Sequence, residues 1–104
     1  MNLGKMMQQA KKMQESMKKL QEEMAASEVS GEAGGGLVRV VMGGDQMVRR
    51  VNIDPSLWEE QDRALIEDLV AAAVNQAAQK VAKMQQEKQQ SLMAGLPLPP
   101  GFSL

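Results

Sequence analysis

Lys5, Lys12 and Lys19 recur every seven residues, and Lys11 and Lys18 repeat the interval one position earlier. On a helix that spacing gathers five ammonium groups into one stripe. Such a stripe can contact phosphates, or it can form a solvated face supported by Glu15–Lys19 and Lys19–Glu23 pairs at i,i+4. Arg39, Arg49 and Arg50 supply further cations in the middle of the chain, and Lys80 and Lys83 near its end. Acid–base or nucleophilic chemistry has far less to draw on. The sequence holds no histidine, cysteine or tyrosine, so it lacks the commonest general acid–base, the thiol nucleophile and the phenolic acid. No catalytic or metal-ligating set is expected, and no cofactor.

Two other motifs dissolve on inspection. Gly31-Glu32-Ala33-Gly34-Gly35-Gly36 has the glycines of a phosphate loop but not its lysine and Ser/Thr, and reads as a hinge. Asp54, Glu59, Glu60 and Asp62 suit the positive end of a helix dipole better than a metal. Trp58 and Phe102 are the only aromatics, too few for a surface that stacks single-stranded bases.

With 104 residues, one small domain is expected, without room for a deep enclosed active site. The absence of cysteine suits a reducing cytosol. No leader-like start and no apolar run of membrane length is visible, so a soluble cytoplasmic protein without membrane or small-molecule partners is expected. The net charge of −1 speaks against nucleic acid at first sight. The charge is segregated, however. Residues 1–27 hold five lysines against three glutamates (+2), residues 54–68 one arginine against six acids (−5), and residues 76–92 three lysines against one glutamate (+2).

The elements that must position these charges follow from periodicity. Leu3, Met6, Ala10, Met13, Met17, Leu20 and Met24 step alternately by three and four, the a/d seam of a coiled-coil helix. A helix from Leu3 to Ser27 would be about 37 Å long, against a radius of gyration of about 13 Å for a compact chain of this size. Part of its apolar seam must therefore seek a partner, most simply a second copy. Met13, Met17, Leu20 and Met24 are the seam's candidate dimer contacts.

Glu28–Gly31, Leu37–Met42 and Met47–Ile53 then read as a β-meander of two or three strands. Gly43-Gly44-Asp45-Gln46 would form its turn, the glycines taking positive φ. A hairpin centred there sets Arg39 opposite Arg50 on one face, with Arg49 on the other among Val38, Val40 and Val51. Like charges so placed need an anion above them: a phosphate, a partner, or Glu67 or Asp68 folding over. Val38, Val40 and Val51 complete the candidate dimer interface.

Beyond Asp54-Pro55, either Asp54 or a Ser56–Glu59 capping box starts helical structure. From about Asp62 to Leu92, Ile66, Val70, Ala73, Ala77, Val81 and Met84 form an apolar stripe. The alanines would admit another helix closely. Residues 1–95 form the expected α-β-β-β-α domain, and 96–104 an extended Pro-rich tail.

Three stretches carry a family resemblance. They are Asn2-Leu3-Gly4-Lys5-Met6-Met7-Gln8-Gln9-Ala10, Glu28–Val38 with its Ser30-Gly31-Glu32-Ala33-Gly34-Gly35-Gly36, and Arg49-Arg50-Val51-Asn52-Ile53-Asp54-Pro55-Ser56-Leu57. With Glu67–Ala73 and Leu98-Pro99-Pro100-Gly101-Phe102, they resemble the YbaB/EbfC family of bacterial nucleoid-associated proteins over nearly the whole chain. The resemblance implies an α+β fold: a long N-terminal helix, a small antiparallel meander and a long C-terminal helix, assembled as a tweezer-like homodimer. It implies a cytoplasmic, nucleoid-associated, non-enzymatic protein that binds double-stranded DNA with weak sequence preference and contributes to chromosome organisation and gene regulation. Charge and exposure put Lys5, Lys11, Lys12, Lys18, Lys19, Arg39, Arg49, Arg50, Lys80 and Lys83 forward as phosphate contacts. The alternative is a coiled-coil adaptor or holdase whose Met-rich seam takes a protein client.

Overall fold

A computed structural model describes residues 2–94. The Pro-rich tail expected over 96–104 lies outside the described residues. In chain order the elements are α1 (Leu3–Ala26), β1 (Glu28–Ala33), β2 (Val38–Gly43), β3 (Val48–Ile53), α2 (Ser56–Glu59) and α3 (Arg63–Ala94). The strands form one antiparallel sheet in the order β1-β2-β3. The radius of gyration is 20.2 Å and the extents are 71 × 26 × 16 Å. That is far beyond a globular chain of this length, because α1 and α3 outrun the sheet they flank.

The core lies between one face of the sheet and one stripe of α3. Val38, Val40 and Met42 point from β2 toward Ala73, Ala77 and Val81, and Leu57 of α2 plugs the end. Val38, Val40, Leu57 and Val81 are fully buried, each side chain contributing about 1.5–3 kcal/mol of burial. The α3 alanines admit a strand rather than a second helix. Gly31 of β1 lies so close to the Ala73 carbonyl and the Ala77 N–H that a Cβ there would overlap backbone.

Helix α3 also seals one edge of the sheet. Gln76 Oε1 accepts from the Glu32 N–H (2.6 Å), and Lys80 Nζ donates to the Ser30 carbonyl (2.6 Å). Two of the outward backbone groups of β1 are thereby satisfied. The other edge, β3, is exposed along its length apart from half-buried Ile53.

The second hairpin departs from the expected register. Arg39 pairs with Asn52, Val40 with Val51 and Val41 with Arg50, while Met42 pairs with Val48, leaving Arg49 as the extra residue of a bulge. Arg39 and Arg50 are therefore diagonal neighbours, not opposite. The turn runs from Gly44 to Met47, with positive φ at Gln46 (66°) and not at its glycines. In the first hairpin, Gly34, Gly35 and Gly36 all take positive φ, so they form a defined turn rather than a hinge.

Aspartates brace the approach to α2 and the start of α3, although α2 itself, with Pro55 at its N-cap, has no side-chain cap. Asp54 Oδ1 accepts from the Ser56 N–H (2.9 Å), and Asp62 Oδ1 from the Leu65 N–H (3.0 Å). Gln61, with φ 54°, separates α2 from α3.

Candidate nucleic-acid interface

Asn2 opens α1 by accepting from the Lys5 N–H (3.3 Å), and 24 helical residues follow. Every residue of α1 from Leu3 to Lys19 is exposed. Lys5, Lys11, Lys12, Lys18 and Lys19 share one side, and the apolar seam occupies another. Among the described residues, no carboxylate lies within ion-pair distance of these lysines. The ion pairs among the described residues are Arg39–Glu32 (3.5 Å), Arg49–Asp45 (3.1 Å) and Arg63–Glu67 (3.3 Å). The expected Glu15–Lys19 and Lys19–Glu23 pairs do not form, which leaves the stripe's charge unpaired among the described residues.

The other cations divide. Arg50 and Lys83 are exposed and without an ion-pair partner among the described residues. Arg39 is half exposed and held across the strands by Glu32. The acids expected over the arginines are elsewhere, Glu67 being paired with Arg63 within α3. Lys80 is committed to the β1 edge, and Arg49 to the end of α1, where its guanidinium donates to the Ala25 carbonyl (3.1 Å).

The candidate dimer residues divide as well. Val38 and Val40 are wholly buried inside their own chain, and Met24 nearly so. The two valines have no surface to give a second copy and belong to the core, because the pleat of β2 turns them under α3, whereas Met24 is covered at the foot of α1, beside Gly44. Met13 is 51 % exposed, Met17 45 % and Val51 44 %, while Leu20 is half-buried. Val51 shares its face with Val48 where α3 no longer covers the sheet. The seam's last turns, Met17, Leu20 and Met24, line a cleft of about 570 Å³ with Gln85, Lys88 and Met93 of α3. Toward Leu3 the seam is uncovered.

The acidic residues have structural work. The Ser56 backbone and side chain bond the Asp54 carboxylate and hold its pKa below the ordinary range. Among the described residues no group of three or more potential metal ligands occurs, and no helix is long and apolar enough to cross a membrane.

Arg49 is the residue that sequence reasoning misplaced. No local signal marked it: the close approach of Arg49 to Gly43 and of the end of α1 to Gly44 depends on tertiary contact.

Comparison with known proteins agrees with this geometry. Residues 1–96 match the model of the YbaB/EbfC DNA-binding family. A nucleoid-associated protein of Hahella chejuensis is 52 % identical over 103 residues, 99 % of this chain and 94 % of that one. An uncharacterized Helicobacter pylori protein of known crystal structure superimposes with a TM-score of 0.78 at 20 % identity, over 89 % of this chain and 98 % of that one. That likeness concerns the fold.

Proposed function

This chain belongs to the YbaB/EbfC DNA-binding family, and from that premise we propose a nucleoid-associated protein that binds duplex DNA as a homodimer. It acts in the cytoplasm, on the chromosome, and carries out no catalysis. The observation that carries the reading is the lysine stripe of α1: five cations on one exposed helical side, none in an ion pair among the described residues. A duplex presents about one phosphate charge per 1.7 Å of its axis, so a linear array of cations is matched to it without reading bases. Weak sequence preference follows from that mode of contact. Arg50 and Lys83 extend the cationic surface, and Arg39 lends it part of its charge.

The homodimer rests on two uncovered apolar features. One is the seam through Leu3, Met6, Met13 and Met17, and the other the open β3 edge with Met47, Val48 and Val51. Both are larger than scattered surface residues would explain, and a two-fold pair would present two lysine arms to one duplex. The phosphate mode is tested by the affinity of the wild-type protein for duplex DNA across a salt series. A steep fall of affinity with salt is expected. A flat curve, or no binding at low salt, refutes the reading.

A further inference from the structure

We infer that Arg49 is a positioning residue that fixes the direction of the α1 arm, and that it does not contact phosphate. This rests on the proposed DNA binding only for its consequence; the junction itself stands on geometry.

Helix α1 leaves four C-terminal carbonyls without helical partners. The Ser27 N–H serves those of Glu23 and Met24, both at 3.1 Å, and the Ser27 hydroxyl adds a second bond to Glu23 (2.9 Å). The Ala25 carbonyl is taken by Arg49 Nη2 from the β2–β3 hairpin (3.1 Å). α1 has no basic residue of its own in its last turn, so Arg49 supplies the cation that the negative end of the dipole favours. Asp45 holds the same guanidinium nitrogen (3.1 Å), and its other oxygen accepts from the Met47 N–H (3.1 Å).

Two further hydrogen bonds meet at this point. The Gly44 N–H donates to the Ser27 carbonyl (3.0 Å), and Gln85 of α3 donates to the Gly44 carbonyl (3.2 Å). A side chain at Gly44 would overlap the Met24 carbonyl, and one at Gly43 would overlap the Arg49 guanidinium. The bulge that leaves Arg49 unpaired re-aims its side chain toward α1. Sheet, α3 and arm are thus joined through one hairpin tip, with Arg49 as its charged link.

The test uses the full chain, whose lack of cysteine lets spin labels be placed uniquely through Gln14→Cys on α1 and Asn75→Cys on α3. Doubly labelled chains are diluted into unlabelled ones, and the intrachain distance distribution is read by electron–electron double resonance. Arg49→Gln should broaden the single wild-type population, and Asp45→Asn, which keeps every cation, should broaden it less. If the competent arm direction falls to about one-fifth of the population, DNA affinity falls about fivefold, with the slope of log affinity against log salt unchanged. An unaltered distance distribution in both variants overturns the inference. So does a slope shallower by about 0.9 for each arginine removed, which would mark a direct phosphate contact. Should Arg49→Gln lose its helical circular dichroism, Asp45→Asn decides alone by the same criterion. If the wild type binds no DNA, the proposed function fails while the distances still decide the junction.

Discussion

The lysine stripe supports a quantitative prediction. Lys5 and Lys19 are fourteen helical positions apart, about 21 Å along α1, a length over which a duplex carries about twelve phosphate charges. All five lysines can therefore find phosphates at once. At about 0.9 counterions per contact, one arm contributes about −4.5 to the slope of log affinity against log salt, a fall of about 500-fold between 50 and 200 mM. Changing Lys11, Lys12, Lys18 and Lys19 to glutamine leaves Lys5 alone on the stripe. The arm's contribution should shrink to about −0.9, a loss of only about fourfold over the same range. Glutamine keeps helix propensity and adds no repulsion, so circular dichroism and light scattering should not change. Fluorescence anisotropy with a labelled duplex of arbitrary sequence measures both curves. If the variant keeps the wild-type slope, the phosphates are met elsewhere and the stripe is a solvated face.

The assembly is tested by static light scattering, which should give twice the 11.3 kDa chain mass; Met13→Gln with Met17→Gln should shift it toward the monomer, and no shift would remove the seam from the interface. Gly31→Ala should cost about 1–3 kcal/mol in urea unfolding, because the new methyl meets α3 backbone that cannot yield; an unchanged midpoint would mean the helix and strand are not so close. Leu57→Ala, emptying a fully buried site, should cost about 2–5 kcal/mol by the same measurement. The Asp45 carboxyl is raised by desolvation but lowered by more through the Met47 N–H and Arg49, and that of Asp54 is lowered by Ser56. A carboxyl whose pKa is depressed on folding gives stability that is present above its unfolded value and lost as pH falls through the folded one. Thermal scans should therefore show stability falling only on the acid side of the ordinary carboxylate range, and Asp54→Asn should flatten that fall; an undiminished fall would acquit Asp54.

Periodicity carried most of the architecture. The three–four spacing of Leu3 to Met24 gives α1 to within a residue or two, and the stripe from Ile66 to Met84 lies where α3 meets the sheet. β-branched runs located β2 and β3. Register was not legible, because a bulge adds one residue without changing composition, and the pairing of Arg39 moved from Arg50 to Asn52 with it. Nor could the sequence separate apolar residues that fill the chain's own core from those left for a partner. Val38, Val40 and Val51 have the same chemistry, and only the reach of α3, which stops short of β3, divides them. The candidate cations divided for a similar reason. Lys80 and Arg49 look as free as Lys11 in a string of letters, yet each is drawn to a backbone carbonyl that only tertiary contact brings near.

The single junction at the foot of α1 makes that helix a lever. Its 24 residues span about 36 Å, so a rotation of about 10° at the hairpin displaces the far end by about 6 Å, nearly two base-pair steps of a duplex at about 3.4 Å each. The same rotation moves Lys5 by about 5 Å but Lys18, only eight residues from the end of α1, by about 2 Å. The lysines closest to the pivot set where an arm lands, and those at its tip feel every error in its angle.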